Sequence, residues 1–134
     1  MEPYELTLTD AAEKIKTREL SPVELAASVL GRIDAVEDKI TAFATVTADL
    51  ATTAAARAEG EIAAGNYRGP LHGIPVGIKD LYETAGVPTT SSSRVRADYV
   101  PERDSAVVEK LLAAGSVMVG KTHTHEFAFG AVTP

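Results

Sequence analysis

An α/β fold is predicted, and three features of the sequence predict it. Ile74, Val76 and Ile78 alternate with Pro75, Gly77 and Lys79, which is the two-residue period of a strand. Ser116-Val117-Met118-Val119-Gly120-Lys121 is a second apolar run of strand length. Between them, a segment with helical spacing carries Val107, Val108, Leu111 and Leu112 and stops at Gly115. Strand, loop, helix, strand is the order of two parallel strands joined by a right-handed crossover. Residues 73–79 and 116–121 are therefore expected to be neighbours in one sheet, with the helix over 104–114, capped by Asp104, packed on it.

The elements upstream are helical. Thr9 or Asp10 can cap a first helix, with Glu13 three residues after Asp10 and with Ala12, Ile15 and Leu8 on its apolar side. Ser21-Pro22-Val23-Glu24 starts a second: a serine cap, proline at the first helical position and glutamate at the third. Leu25, Val29, Ile33 and Val36 then recur at helical spacing. Residues 40–46, Ile-Thr-Ala-Phe-Ala-Thr-Val, alternate as a strand or extended segment. Residues 48–64 are alanine-rich, with Leu50, Ala54, Ala58 and Ile62 on one stripe and a stop at Gly65-Asn66. These helices carry no chemistry and read as scaffold.

The composition narrows the function. A chain of 134 residues has room for one domain. Its 45% hydrophobic share is that of a globular protein. A net charge of −6 argues against a nucleic-acid surface. No cysteine is present, so disulfide and thiol chemistry are excluded. No apolar run approaches a membrane span, and the N-terminus lacks a basic-then-apolar signal. A cytoplasmic setting with no membrane partner is the expectation.

The strand at 73–79 holds the first candidate for chemistry. One face would bury three branched side chains, and the other would carry a proline, a bare glycine and Lys79. Gly77 leaves room for a backbone or ligand to approach. A lysine on a crowded strand can act as a base, because desolvation disfavours its ammonium form. The plainer reading is a surface lysine that protects a strand edge, and spacing alone favours it.

The residues around Lys79 change that balance. Gly69-Pro70-Leu71-His72-Gly73-Ile74-Pro75-Val76-Gly77-Ile78-Lys79-Asp80 resembles the segment that carries the catalytic lysine of the amidase signature family. Three more blocks resemble the family in order. Thr84-Ala85-Gly86-Val87-Pro88-Thr89-Thr90-Ser91-Ser92-Ser93 resembles its next loop, 104–115 its following helix, and Gly120-Lys121-Thr122-His123-Thr124-His125-Glu126-Phe127-Ala128-Phe129-Gly130 its next strand and turn. The resemblance runs from about Leu6 onward.

The resemblance implies the N-terminal part of an α/β/α fold, with N-terminal helices followed by strands of a mixed central sheet. Residues 1–66 would form the helical region and 67–134 the start of the catalytic core. It implies a hydrolase of carboxylic amides that uses a serine, a second serine with a cis peptide bond, and a lysine, which here is Lys79. Both serines lie in a glycine- and serine-rich segment that in the family follows the position of Pro134. The chain by itself is therefore expected to be inactive, and to need the remainder of the amidase or a complementary subunit. No cofactor and no metal are implied, and a homodimer through the N-terminal helices is compatible with the family. A general amidase is the first choice because residues 122–130 look closer to that group. The A subunit of a glutamyl-tRNA amidotransferase is the alternative, and a non-catalytic assembly module is a third.

The remaining motifs read more plainly. Ser91, Ser92 and Ser93 lack the sharp glycine-flanked turn of a nucleophile and are read as loop structure bordering the cleft. His123, His125 and Glu126 are too few for a closed metal site and are expected to bond locally and pin the turn before Phe127. His72 is expected to be a structural hydrogen-bonder, and Lys121 structural or cleft-lining. Arg94, Arg96 and Arg103 are read as solvated loop charges.

Overall fold

A computed structural model describes residues 1–130; residues 131–134, the end of the expected catalytic-core region 67–134, lie outside them. The order of elements is α1 (Leu8–Thr17), α2 (Pro22–Ile40), β1 (Phe43–Val46), α3 (Ala48–Ala63), β2 (Pro75–Lys79), α4 (Ala106–Ala113) and β3 (Val117–Thr122). Single 3-10 turns stand at Pro3–Glu5, Arg94–Arg96 and Glu126–Ala128.

The second helix begins as its sequence dictates. Ser21 Oγ accepts hydrogen bonds from Val23 N and Glu24 N, and Glu24 Oε2 accepts one from Ser21 N at 3.1 Å. The first begins two residues earlier than expected, on Thr7. Thr7 keeps an extended backbone, and its Oγ1 accepts from Asp10 N at 3.1 Å. Asp10 is thus the third helical residue, where its carboxylate accepts the Thr7 hydroxyl proton at 2.7 Å and favours the positive end of the helix.

Helix α2 continues through Ile40 and closes on a left-handed Thr41, so the extended segment shortens to Phe43–Val46. On α3 the buried stripe is Ala51, Ala55, Ala58 and Ile62, while Leu50 is exposed. The face is turned from the expected one because methyl side chains at 51 and 55 let α3 approach Val117 and Val119 of β3 closely. The cap of α4 is Ser105, not Asp104. Asp104 Oδ1 accepts from Ala85 N at 2.7 Å and so ties the preceding loop instead. Of the four apolar residues expected inward on α4, Val108 is fully buried, Leu111 and Leu112 are partly so, and Val107 is exposed.

The sheet is mixed, in the order β1-β3-β2. Strands β2 and β3 run parallel, joined through α4, as the strand, loop, helix, strand order predicts. Strand β1 pairs antiparallel with the other side of β3. Gly120 is needed there, since a Cβ would strike Thr45 O and the Phe43 ring where β1 is irregular.

Three apolar clusters hold the elements together. Ala26, Ile33, Ala51, Ala55, Val117 and Val119 pack α2 and α3 on one face of the sheet. Ile78, Val87, Val108 and Met118 pack α4 on the other, with Val76 beside them. Ile74 does not join its alternating partners: it precedes β2 and inserts between α1 and α2 with Ile15, Leu20, Leu25 and Ile62. No helix of the described residues is long and apolar enough to cross a membrane.

Candidate active site at the carboxyl ends of β2 and β3

Lys79 is the last residue of β2 and stands level with Thr122, the last of β3. Alternation puts Lys79 on the face of Gly77, opposite Ile78. The space at Gly77 is taken from within the chain: a Cβ there would lie 3.0 Å from Thr122 Cγ2 and 3.8 Å from the Phe43 ring. The Lys79 side chain itself is exposed in the described residues. Carboxyl ends of strands in α/β sheets are where binding groups gather.

The neighbouring positions hold a buried charge network. Asp80 and Lys121 are both fully buried, with Lys121 Nζ 3.6 Å from Asp80 Oδ1. Lys121 Nζ also donates to Tyr82 O and to Thr89 Oγ1, each at 2.8 Å. Asp80 accepts from Thr90 N with both oxygens and from the Thr90 hydroxyl. Burial pushes the Lys121 ammonium below the ordinary lysine range, and the Asp80 charge and hydrogen bond oppose that shift. Lys121 is thus structural rather than cleft-lining. The sequence reading missed its partner, although Asp80 directly follows Lys79 and the parallel register sets Ile78 beside Lys121.

The three serines clasp the segment after β3. Ser91 O accepts from Phe127 N at 3.0 Å. Ser92 Oγ accepts from Thr124 N and lies 3.1 Å from His123 Nδ1. Ser93 Oγ donates to Glu126 Oε1 at 2.7 Å. His123 and Glu126 thus bond across to Ser92 and Ser93, 31 and 33 positions earlier, rather than locally as expected, and His125 Nδ1 is buried with no hydrogen-bond partner among the described residues. No group of three acidic or histidine side chains among the described residues is set to hold a metal. Ser91 and Ser92 adopt left-handed φ of 55° and 50°, a sharp turn of the loop, and Ser91 Oγ is buried with no hydrogen-bond partner among the described residues.

His72 lies apart from this end and is fully buried. Its Nδ1 accepts from Arg68 N at 3.0 Å, so Nε2 carries the proton and donates to Glu61 Oε2 at 2.8 Å. Arg68 bonds the other Glu61 oxygen at 2.7 Å. Burial pushes the Glu61 carboxyl up, but the His72 hydrogen bond and the Arg68 and Arg57 charges more than offset this and leave it lowered. His72 is a structural hydrogen-bonder that ties α3 to the segment leading into β2.

Comparison with known proteins agrees with this architecture. Residues 24–134 match the family described as Amidase. The chain is 48% identical over 133 residues to the A subunit of the glutamyl-tRNA(Gln) amidotransferase of Carboxydothermus hydrogenoformans, across 99% of this chain and 27% of that protein. It is 46% identical over 129 residues to an amidase of Pseudomonas putida, across 96% of this chain and 27% of that one. The crystal structure of peptide amidase from Stenotrophomonas maltophilia superposes with a TM-score of 0.87 at 32% identity, over 95% of this chain and 26% of that structure. The chain thus spans about a quarter of the length of these relatives. Its match to their sequences over nearly its whole length, and to their fold through a mixed sheet with helices on both faces, shows that it belongs to the amidase family.

Proposed function

We propose that this chain is the lysine-bearing portion of an enzyme that hydrolyses carboxylic amides through a serine, a cis-bonded serine and Lys79. One observation carries the reading. Lys79 lies in the twelve-residue block 69–80 that resembles the family's lysine segment and stands at the carboxyl end of a strand, on its glycine-bearing face. In the complete site the Lys79 amine accepts the nucleophile's proton, relayed by the bridging serine, and returns it to the departing amine nitrogen. Backbone N–H groups near the serines would stabilise the oxyanion. In the family's pattern both serines follow the position of Pro134, so on this reading the partner of this chain is the remainder of the amidase or a complementary subunit. The substrate is a small amide, and the setting is cytoplasmic. A homodimer through the N-terminal helices belongs to the same reading.

The test is turnover in the complete protein. Lys79→Ala abolishes it while circular dichroism stays unchanged, because an exposed strand-end side chain contributes little packing. Lys79→Arg fails as well, since a guanidinium cannot give up its proton near neutral pH. Near-normal turnover in a folded Lys79→Ala protein rejects the reading. The similarity to the A subunit of an amidotransferase supports a second one, in which the amide is glutamine and the ammonia passes to a partner. Glutamine hydrolysis that requires a second protein, with no turnover of simple amides, selects it. A folded complete protein with no hydrolysis of either kind selects the non-catalytic module.

A further inference from the structure

We propose that Lys121 is a positioning residue, whose buried ammonium fixes the turn that carries Lys79. This rests on the reading of Lys79 as the base. Strand β2 ends in a turn that Tyr82 N closes on Lys79 O at 3.0 Å. Lys121 Nζ holds that same turn from its other side, through Tyr82 O at 2.8 Å. It also faces the carboxylate of Asp80, the residue next to Lys79, at 3.6 Å.

The third contact, to Thr89 Oγ1, reaches the far end of the loop. There Asp80 takes up Thr90 N, and Asp80 O accepts from Ser91 N at 2.7 Å. A single cation therefore gathers the start, the turn and the return of residues 80–91. The loop is closed onto the last rung of the sheet by Asp80 N donating to Thr122 O at 2.8 Å. Lys121 points to the opposite face from Lys79, with Ile78 beside it in register, so it acts on the backbone beneath the base and does not meet the substrate.

A staple that served folding alone would be replaceable by any pairing that fills the same space. Neutral, similarly shaped groups in place of a buried ion pair often leave stability unchanged. They would not supply a donor to Tyr82 O. The double variant Lys121→Met with Asp80→Asn separates the two roles.

The experiment compares four complete proteins: the parent, Lys79→Ala, Lys121→Met, and the double variant. Steady-state kinetics on a simple aliphatic amide are joined to thermal unfolding and to amide exchange at Tyr82 N. Expected for the double variant are a melting temperature near the parent's, kcat reduced at least about tenfold, KM within about twofold, and exchange at Tyr82 N faster than at β3 amides. A double variant that melts with the parent and keeps its kcat overturns the proposal while leaving Lys79 as the base. So does a double variant that stays unstable with kcat per folded molecule unchanged. Full turnover by Lys79→Ala removes the reading of Lys79, and this proposal falls with it.

Discussion

Lys121 shows how much of this chain rests on single side chains. Its ammonium and the Asp80 carboxylate are both fully buried. Removing one partner leaves an uncompensated charge, which costs about 3–5 kcal/mol. Lys121→Ala is therefore expected to lower the free energy of unfolding by an amount of that order, as urea unfolding would measure. The same lysine predicts a pH effect. Its folded value lies below the ordinary 10.5, so between the two values the unfolded chain binds more protons and stability rises with pH. Comparing alkaline unfolding of the parent and the double variant isolates that slope, which the variant should lose. Gly115 is the counterpart in the backbone. It has φ of +84°, and a Cβ there would overlap the His72 ring. Gly115→Ala is expected to destabilise by roughly 2–4 kcal/mol, from the left-handed backbone and the forced shift of a packed ring, as urea unfolding would measure.

Among the elements, α2 has the most explicit start. Ser21→Ala removes the acceptor for Val23 N and Glu24 N and is expected to cost about 1 kcal/mol. Ser21 Oγ also donates to Glu59 of α3, so part of that loss is a tie between helices. The tie between α3 and the approach to β2 is sensitive to acid. Glu61 has a lowered folded value, so its contribution is present above the ordinary 4.5 and is lost as pH falls through the folded value. Glu61→Gln should flatten the acid limb of stability, as unfolding at a series of pH values would show; an unchanged limb would assign it to other carboxylates.

The whole molecule is three clusters around one sheet, and the sheet is open. In the order β1-β3-β2, the outer edges of β1 and β2 have no partner strand among the described residues. The face that carries Lys79 also borders a cleft of about 360 Å³ lined by Tyr4, Leu25, Val29, Phe43, Pro75 and Gly77. Open edges and uncovered apolar surface favour association with further chain. Expressed alone, the 134-residue chain is expected to hydrolyse no simple amide above background and to gain activity when the serine-bearing segment is supplied. Activity of the isolated chain that persists in Lys79→Ala would contradict both the site and the division of labour.

Much of the architecture was already written in local sequence. Period-two alternation marked β2, a short apolar run marked β3, and Ser21-Pro22-Val23-Glu24 marked α2, because strand faces and helix caps depend on residues close in the chain. The block 69–80 around Lys79 carried the family and the candidate base in the same way. Tertiary packing decided the rest. It turned α3 onto Ala51 and Ala55, which are fully buried in the cluster with Val117 and Val119 of β3, and it sent Ile74 to a different core from Ile78. It moved the cap of α4 from Asp104 to Ser105, since the Asp104 carboxylate is held by Ala85 N. It also joined Lys121 to Asp80, 41 positions apart in sequence, a pairing that only the parallel register of β2 with β3 creates.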